Sequence, residues 1–324
     1  MVAVSKAFAR YAAAVLAYNV AVVLWGAYVR ATGSGAGCGN HWPLCNGVVV
    51  PPSPALSTII EFTHRATSGL DVLLVAVLIV WAFRVSPPAH AVRLGSVLSG
   101  VFLTTEALIG ALLVKLEHVA RNASVGRAYS LSAHLINTLT LLACLTLTVW
   151  WAIGGGRLRW RRREFWPVAA GTALIVATSL MGAITALGDT LFPASSLAAG
   201  FRQDFDRAAS IFVRLRLFHP LLAVSTAGYL AFWGVAARAR LPRVKPLVDS
   251  LLVLLAAQLT AGVLNLLLLA PVWLQMIHLL LADLVWIAFV LLSASRLQDA
   301  AIPADLRVDE MGAAVDRLER ASPK

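Results

Sequence analysis

Residues 61–85 read EFTHRATSGLDVLLVAVLIVWAFRV and carry the pattern that decides the fold. After Asp71 this stretch is entirely apolar until Arg84. A helix needs about 20 consecutive, mostly apolar residues to cross a membrane. Together with the four residues before it, the stretch is long enough. It therefore predicts a membrane-spanning helix over 57–83.

The same pattern recurs along the chain. Apolar residues make up 59% of the 324 residues and charged residues 13%, and the mean hydropathy is +0.79. A soluble protein could not cover so apolar a chain with polar surface, so an all-α integral membrane protein is predicted. The eight predicted spans are 8–30, 57–83, 91–116, 128–153, 166–188, 207–237, 245–269 and 273–295.

The net charge of +11 is distributed unevenly over the loops. Most basic residues fall on one side of the spans, near Lys6, in 157–163, in 238–245 and in the tail from Arg296. Because basic loops stay in the cytoplasm, we expect a multi-pass protein of the cell membrane with both termini cytoplasmic. The arginine-rich loop also suits anionic membrane lipid. No nucleic acid is expected as a partner, since no soluble domain presents the charge.

This topology places 31–56 outside the membrane, together with two of the three cysteines, Cys38 and Cys45. An oxidising exterior favours a disulfide bond that closes this small loop. Two interpretations remain open, a structural staple and a redox-active dithiol. Cys144 lies inside span 4 and is expected to be an inert packing residue.

Spans 1–4 align with spans 5–8, which indicates an internal repeat. Each half has an even number of spans and begins on the same side, so the repeat is parallel. We predict two pseudo-twofold-related four-helix bundles, at 1–155 and 156–296, and a cytoplasmic tail at 297–324. The paired residues are Gly26 with Gly182, His64 with His219, Glu106 with Gln258, Gly110 with Gly262 and His134 with His278.

Four of the seven histidines lie at the outer ends of spans 2, 4, 6 and 8. A lone membrane histidine often marks function, although it can simply bond to a neighbouring helix. Four at repeat-related positions favour pairing of His64 with His134, and of His219 with His278. Two nitrogen ligands per half are too few for a typical zinc site, and the carboxylates are too few for a di-iron site. Two axial ligands in a tall apolar bundle suit a heme.

The halves differ beside the first histidine of each pair. Glu61 lies three residues before His64 and shares its helix face. The corresponding residue in the second half is Arg216, which is not a carboxylate. A carboxylate beside a bound macrocycle can act as a general base or stabilise a developing cation. Alternatively, Glu61 pairs with Arg65 or with an amide of the outer loop. The asymmetry suggests that one half does chemistry and the other carries electrons.

Two arginines stand just before His219. Arg214 and Arg216 would suit the propionates of a heme near the outer surface. The alternative is that both side chains extend to the lipid headgroups.

Over all eight spans the chain resembles the heme A synthase family. The resemblance rests on Arg30-Ala-Thr-Gly-Ser-Gly, on Cys38-Gly-Asn-His-Trp-Pro-Leu-Cys45, on Glu61-x-x-His64-Arg65 and on the three later histidines. It implies an oxidoreductase that converts the C8 methyl group of heme O to a formyl group, making heme A for terminal oxidases. By the same resemblance, His64 and His134 hold the substrate heme, whereas His219 and His278 are the iron ligands of a heme b cofactor.

The resemblance also implies that Glu61 assists the oxidation and that Cys38 and Cys45 take part in redox coupling. The implied partners are heme O, heme O synthase and an electron acceptor. Two departures concern the outer loops. The loop 189–207 has no cysteines, and Gly39-Asn40-His41 lacks the acidic residue expected before Trp42.

Two other classes of protein remain possible interpretations of the residues. A di-heme b-type electron-transfer cytochrome would explain the four histidines but would give Glu61 no role. A transporter or assembly factor would use the histidines for protons or copper. It should then show acidic or Met-rich clusters, and the chain has only four methionines.

Overall fold

The computed structural model describes residues 4–159 and 162–298. Within these residues the chain forms ten α-helices and two short 3-10 turns. The helices are α1 Lys6–Ala31, α2 Leu56–Val85, α3 Ala91–Lys115, α4 Val125–Ala152, α5 Arg162–Leu191, α6 Leu197–Phe205, α7 Ile211–Arg214, α8 Phe218–Arg240, α9 Lys245–Leu267 and α10 Val272–Leu297. The predicted cytoplasmic tail lies outside the described residues from 299 onward.

Eight helical segments of the described chain have the length and apolar composition needed to cross a membrane. They coincide with the eight predicted spans to within a few residues at most ends. The predicted class, an all-α multi-pass membrane protein, is therefore confirmed.

The sixth span and the loop before it differ from the prediction in detail. The span is not one continuous helix, because α7 and the 3-10 turn Leu215–Leu217 precede α8. Pro220 lies in the first turn of α8, where its missing N–H leaves no helix hydrogen bond unmade. The preceding outer loop contains the short helix α6, whose N-terminus is capped by the Ser196 hydroxyl, which accepts a hydrogen bond from Ala199 N.

The helices pack in the same cyclic order in both halves. In the first half α1 contacts α2, α2 contacts α3, α3 contacts α4, and α4 returns to α1. In the second half α5, α8, α9 and α10 form the corresponding ring. Between the halves α4 packs on α10, and the contact of α1 with α10 has its counterpart in α4 with α5. This arrangement is compatible with the predicted pseudo-twofold relation.

The contact between the halves is largely apolar. Leu139 and Leu142 of α4 belong to the same buried cluster as Phe289 and Leu292 of α10. The indole N–H of Trp286 donates a hydrogen bond of 2.7 Å to the carbonyl oxygen of Leu139. Packing and interhelical hydrogen bonds are what hold helices together in lipid. Because α4 and α10 also carry one histidine of each predicted pair, this contact fixes the two pairs relative to each other.

Candidate functional site

The first histidine of each half lies directly against a glycine of the neighbouring helix. A Cβ added to Gly26 in α1 would stand 2.9 Å from Cε1 of His64. A Cβ added to Gly182 in α5 would stand 2.9 Å from Cε1 of His219. Any larger residue would displace the imidazole, so each glycine forms one wall of a histidine site.

The second histidine of each half has the same kind of neighbour at a slightly larger distance. A Cβ on Gly110 would lie 4.0 Å from Nε2 of His134, and one on Gly262 would lie 3.3 Å from Cε1 of His278. All four glycines are the ones that pair in the internal repeat. The repeat therefore extends from the sequence to the contacts of each histidine.

The histidines of each half lie close enough to share a ligand. In the second half, the ring centres of His219 and His278 are 6.4 Å apart with the planes at 85°. A metal–imidazole bond is about 2.0–2.1 Å long, so imidazoles on opposite sides of one metal have centres about 6 Å apart. In the first half, His64 lies near His134. The structure thus brings each predicted pair together.

The imidazoles also have unused bonding capacity. Within the described part of the chain, one ring nitrogen of each is buried without a hydrogen-bond partner, namely Nδ1 of His64, His134, His219 and His278. A buried polar atom without a partner is costly, and buried polar groups normally have one. Two imidazoles in glycine-walled, largely apolar surroundings fit one heme in each half.

One carboxylate contact in the first half was missed by sequence reasoning. Oε1 of Glu106 in α3 lies 3.1 Å from Nδ1 of His134, within ion-pair distance although not with the angle of a hydrogen bond. Glu106 also accepts hydrogen bonds from the side chains of Asn137 and Thr138. The signal was present in the repeat, which pairs Glu106 with Gln258.

In the second half the repeat-related residue is an amide, and it lies at the other ring nitrogen of its histidine. Nε2 of Gln258 lies 3.3 Å from Nε2 of His278. The second histidine of each pair therefore has a side-chain neighbour from the preceding long helix. That neighbour can be charged in the first half, whereas it is neutral in the second.

Glu61 lies at the junction of α2 with the first outer loop and is only 3% exposed. Its Oε2 accepts a hydrogen bond of 2.8 Å from Cys38 N, and its Oε1 accepts from the Arg65 guanidinium. Both structural partners considered for Glu61 are therefore present. Arg65 also donates to the carbonyl oxygens of His41 and Leu44, at 2.6 and 2.7 Å. The pair thus holds the outer loop onto α2.

That loop is closed by a disulfide bond between Cys38 and Cys45. Both cysteines are buried, at 0% and 1% exposure. The third cysteine, Cys144, is a free and partly buried thiol in α4. The predicted cross-link is therefore present, and it is attached to α2 through the backbone N–H of Cys38 that Glu61 binds.

The two arginines before His219 have different surroundings. Arg214 is exposed. Arg216 forms ion pairs of 2.7 Å with Asp189 and 2.8 Å with Asp204. Its charge is therefore already balanced by two carboxylates, and the expected contact of these arginines with propionates stays a prediction.

The fold and the site together define an eight-span membrane protein with a glycine-walled histidine pair in each half. Within that class, the chain belongs to the COX15-CtaA family, described as Cytochrome oxidase assembly protein, whose model matches residues 9–290. The predicted membership of the heme A synthase family is thereby confirmed.

Individual relatives support the same family but cover the chain to different extents. A protein from Thermus thermophilus called Protoheme IX farnesyltransferase is 48% identical over 95% of this chain and 51% of its own length. Heme A synthase from Halalkalibacterium halodurans is 37% identical over 39% of this chain and 42% of its own length. Heme A synthase from Bacillus cereus is 45% identical over 29% of this chain and 30% of its own length. The chain thus aligns with about half, or less, of the length of each of these relatives.

Proposed function

We propose that this chain is a heme A synthase that oxidises the C8 methyl group of heme O to a formyl group. With oxygen supplied by one water, this conversion releases four protons and four electrons. The electrons need a one-electron acceptor at or in the membrane. The observation that carries the proposal is the repeated histidine–glycine geometry combined with the contact of the Glu106 carboxylate with His134 in the first half.

In this proposal His64 and His134 hold the substrate heme O, and His219 and His278 hold a heme b cofactor. The first half is then the catalytic half, and the second half is the electron-transfer half. Support for this division comes from the contact of Glu106 with His134, whose counterpart in the second half is the neutral Gln258. When bound, heme b would supply one-electron transfer away from the substrate site.

The chain's own residues contribute orientation and proton handling. A carboxylate next to a ligating imidazole fixes the ring and makes it a stronger donor, which is the role of Glu106 at Nδ1 of His134. Glu61 is a buried carboxylate near the outer end of α2, and we assign it to the protons released from the methyl carbon. Its hydrogen bonds from Arg65 and Cys38 N keep the carboxylate in a fixed orientation.

The disulfide Cys38–Cys45 is proposed to couple this site to the redox state of the outer compartment. The support is the hydrogen bond of 2.8 Å that the backbone N–H of Cys38 donates to Oε2 of Glu61. Reduction would free the loop that Glu61 and Arg65 hold, and with it the orientation of the carboxylate.

The proposal also covers the location of the protein and the source of its substrate. The protein lies in the cell membrane with both termini in the cytoplasm, as the distribution of basic residues indicates. Heme O synthase is the proposed supplier of the substrate. The Thermus protein supports this link, because a protein called Protoheme IX farnesyltransferase contains a long segment 48% identical to this chain.

That relative also raises prenyl transfer to protoheme IX as a second candidate function. The match spans only 51% of the Thermus protein, so the activity in its name can belong to the remaining part. Incubation of the purified chain with heme B and farnesyl diphosphate would decide between the two. Formation of heme O by this chain alone would favour the second candidate.

The deciding experiment for the main proposal is pigment extraction after expression with and without a heme O synthase. We expect heme B in both cases, and heme O together with heme A when the synthase is present. Heme B alone under both conditions would favour a di-heme electron-transfer cytochrome. A protein without heme would favour a transporter or assembly factor and would overturn the proposal.

A further inference from the structure

A buried arginine stands at the outer end of α4 and a half-buried one at the outer end of α1. Arg127, in the first turn of α4, is only 2% exposed and is the largest fully buried side chain of the described residues. Its Nη1 donates to the carbonyl oxygens of Ala120 and Asn122, at 2.6 and 2.9 Å. Its Nε is buried without a hydrogen-bond partner among the described residues. Part of this guanidinium is therefore available for a further acceptor.

Arg30, in the last turn of α1, reaches across into the second half. Its Nη1 donates to the carbonyl oxygen of Ala186, at 3.0 Å, and to the hydroxyl of Thr190, at 3.2 Å. Its Nη2 donates to Oε1 of Gln275, at 3.2 Å. Like those of Arg127, all of these acceptors are uncharged.

Other arginines at comparable depth have a carboxylate partner. Arg65 pairs with Glu61, and Arg216 pairs with two aspartates. For Arg30 and Arg127, no ion pair is found within residues 4–159 and 162–298. The two guanidinium groups also repel each other, and Asp189, which attracts Arg30, is already bound to Arg216 at 2.7 Å. A buried charge without a counter-charge, as at Arg127, is costly, which indicates that an anion binds here beside the half-buried Arg30.

The position of the two arginines relative to the histidines identifies the anion. Arg30 lies one turn beyond Gly26, the glycine that contacts His64. Arg127 lies two turns before His134 on the same helix, a rise of about 10 Å. Both side chains are therefore on the outer side of the first histidine pair. The carboxylates of a macrocycle held there would extend into the same region.

We propose that Arg30 and Arg127 bind the propionate carboxylates of the heme held between His64 and His134. The inference rests on the proposed function, since it requires that pair to hold a heme. Guanidinium groups bind carboxylates through two parallel hydrogen bonds, which gives orientation as well as affinity. The arginines would thus set which edge of the substrate heme faces outward, and so which methyl group meets the catalytic groups.

The test compares heme O with its propionate dimethyl ester. Both are titrated into the purified full chain that retains its second-half heme, and binding is followed by the absorption change. For the unaltered protein we expect the diester to bind about 10-fold to 100-fold more weakly than the free acid. The Arg30→Gln and Arg127→Gln variants should bind the free acid more weakly by a similar factor. Their preference for the free acid over the diester should therefore be smaller than that of the unaltered protein. Arg127→Lys, which keeps the positive charge, should recover part of the affinity for the free acid.

The matched control is Arg121→Gln, which removes the same charge from an exposed position in the outer loop between α3 and α4. It should keep the full preference for the free acid. If a glutamine variant fails to fold, the comparison of acid and diester in the unaltered protein still decides the question.

Three results would overturn the inference. Equal affinity for acid and diester in the unaltered protein would show that the propionates are not bound by charge, while leaving the proposed function intact. Loss of a bound phospholipid from the arginine variants in native mass spectrometry, with the preference for the acid unchanged, would assign the site to a lipid phosphate. Failure of the first-half site to bind any heme would overturn the proposed function and this inference together.

Discussion

The two halves share the geometry of their histidine sites but not the charges around them. In each half, both histidines stand against repeat-related glycines. The side-chain neighbour of the second histidine, in contrast, is Glu106 in one half and Gln258 in the other. The difference teaches that ligand placement is a property of the shared scaffold, whereas reactivity is set by a few charged residues placed on it.

The two halves also differ in the residue three positions before the first histidine, which is Glu61 in the first half and Arg216 in the second. Glu61 holds the disulfide-closed loop of the first half through Cys38 N and Arg65. Arg216 holds the helical loop of the second half through Asp204. Both residues anchor an outer loop, with opposite charge. The catalytic role proposed for Glu61 must therefore be separated experimentally from its role as an anchor.

The largest expected effect is the loss of one heme without the other. His134→Ala should abolish binding of the substrate heme and all formation of heme A, while heme b remains in the second half. His278→Ala should do the reverse for the bound cofactor, because each iron loses one of its two ligands. The heme content per chain is measured by pyridine hemochrome spectra and mass spectrometry of the extracted pigment. Equal loss of both hemes in either variant would contradict two separate sites.

The second effect concerns Glu61. We expect Glu61→Gln to retain the substrate heme but to lower heme A formation about 100-fold or more, in the range of general acid–base contributions. Arg65→Gln is the matched control, because it removes the partner of Glu61 and the bonds to the loop but leaves the carboxylate. It should form more product than Glu61→Gln does, because the carboxylate remains and keeps its hydrogen bond from Cys38 N. If both variants lose activity to the same extent, Glu61 acts as an anchor alone, and normal product from Glu61→Gln would remove it from the chemistry.

Much of this architecture could be predicted from the sequence, since lipid imposes a length and composition on every spanning helix. The pairing of Gly26 with Gly182 followed from the repeat, because both residues sit in similar local sequence. That these glycines contact the histidines could not be deduced, since the contact joins separate helices. The internal break before His219 was also missed, although Arg214, Arg216 and Pro220 interrupt the apolar run there.

The charged contacts were the hardest part to predict. Glu106 and His134 are 28 residues apart on different helices, and only their rotation about the helix axes brings them together. The contacts of Arg30 with Thr190 and Gln275 connect opposite halves of the chain. A single sequence gives the faces of each helix but not which faces meet.

The third prediction tests whether the glycine walls are equivalent in the two halves. Gly26→Ala and Gly182→Ala would each place a methyl group 2.9 Å from a histidine ring atom, so the ring must move. Crowding of this kind costs about 1–3 kcal/mol, which corresponds to a loss of heme affinity of roughly 5-fold to 150-fold. Each variant should weaken only the heme of its own half. Gly110→Ala is the control, because its methyl group would have 4.0 Å of space and should leave affinity nearly unchanged.

The smallest effect, and the sharpest test of the comparison, is an exchange of the residues that distinguish the halves. Glu106→Gln should raise the reduction potential of the first-half heme, because a neutral amide no longer strengthens the donor nitrogen of His134 toward oxidised iron. Gln258→Glu should lower the potential of the second-half heme, because an added negative charge beside His278 favours the oxidised iron. A tenfold change in relative affinity for the two oxidation states corresponds to about 59 mV for one electron, and we expect shifts of this order.

Spectroelectrochemical titration of each heme measures this directly, and it does not depend on turnover. Glu106→Asp, which retains the charge, should shift the potential less than Glu106→Gln does. Glu117→Gln, which removes a charge from an exposed position of the outer loop, should shift neither heme. If the two exchange variants leave both potentials unchanged, the carboxylate beside His134 does not tune its site. The functional difference between the halves would then have to arise from Glu61 and the disulfide loop, where charge and loop anchoring act together.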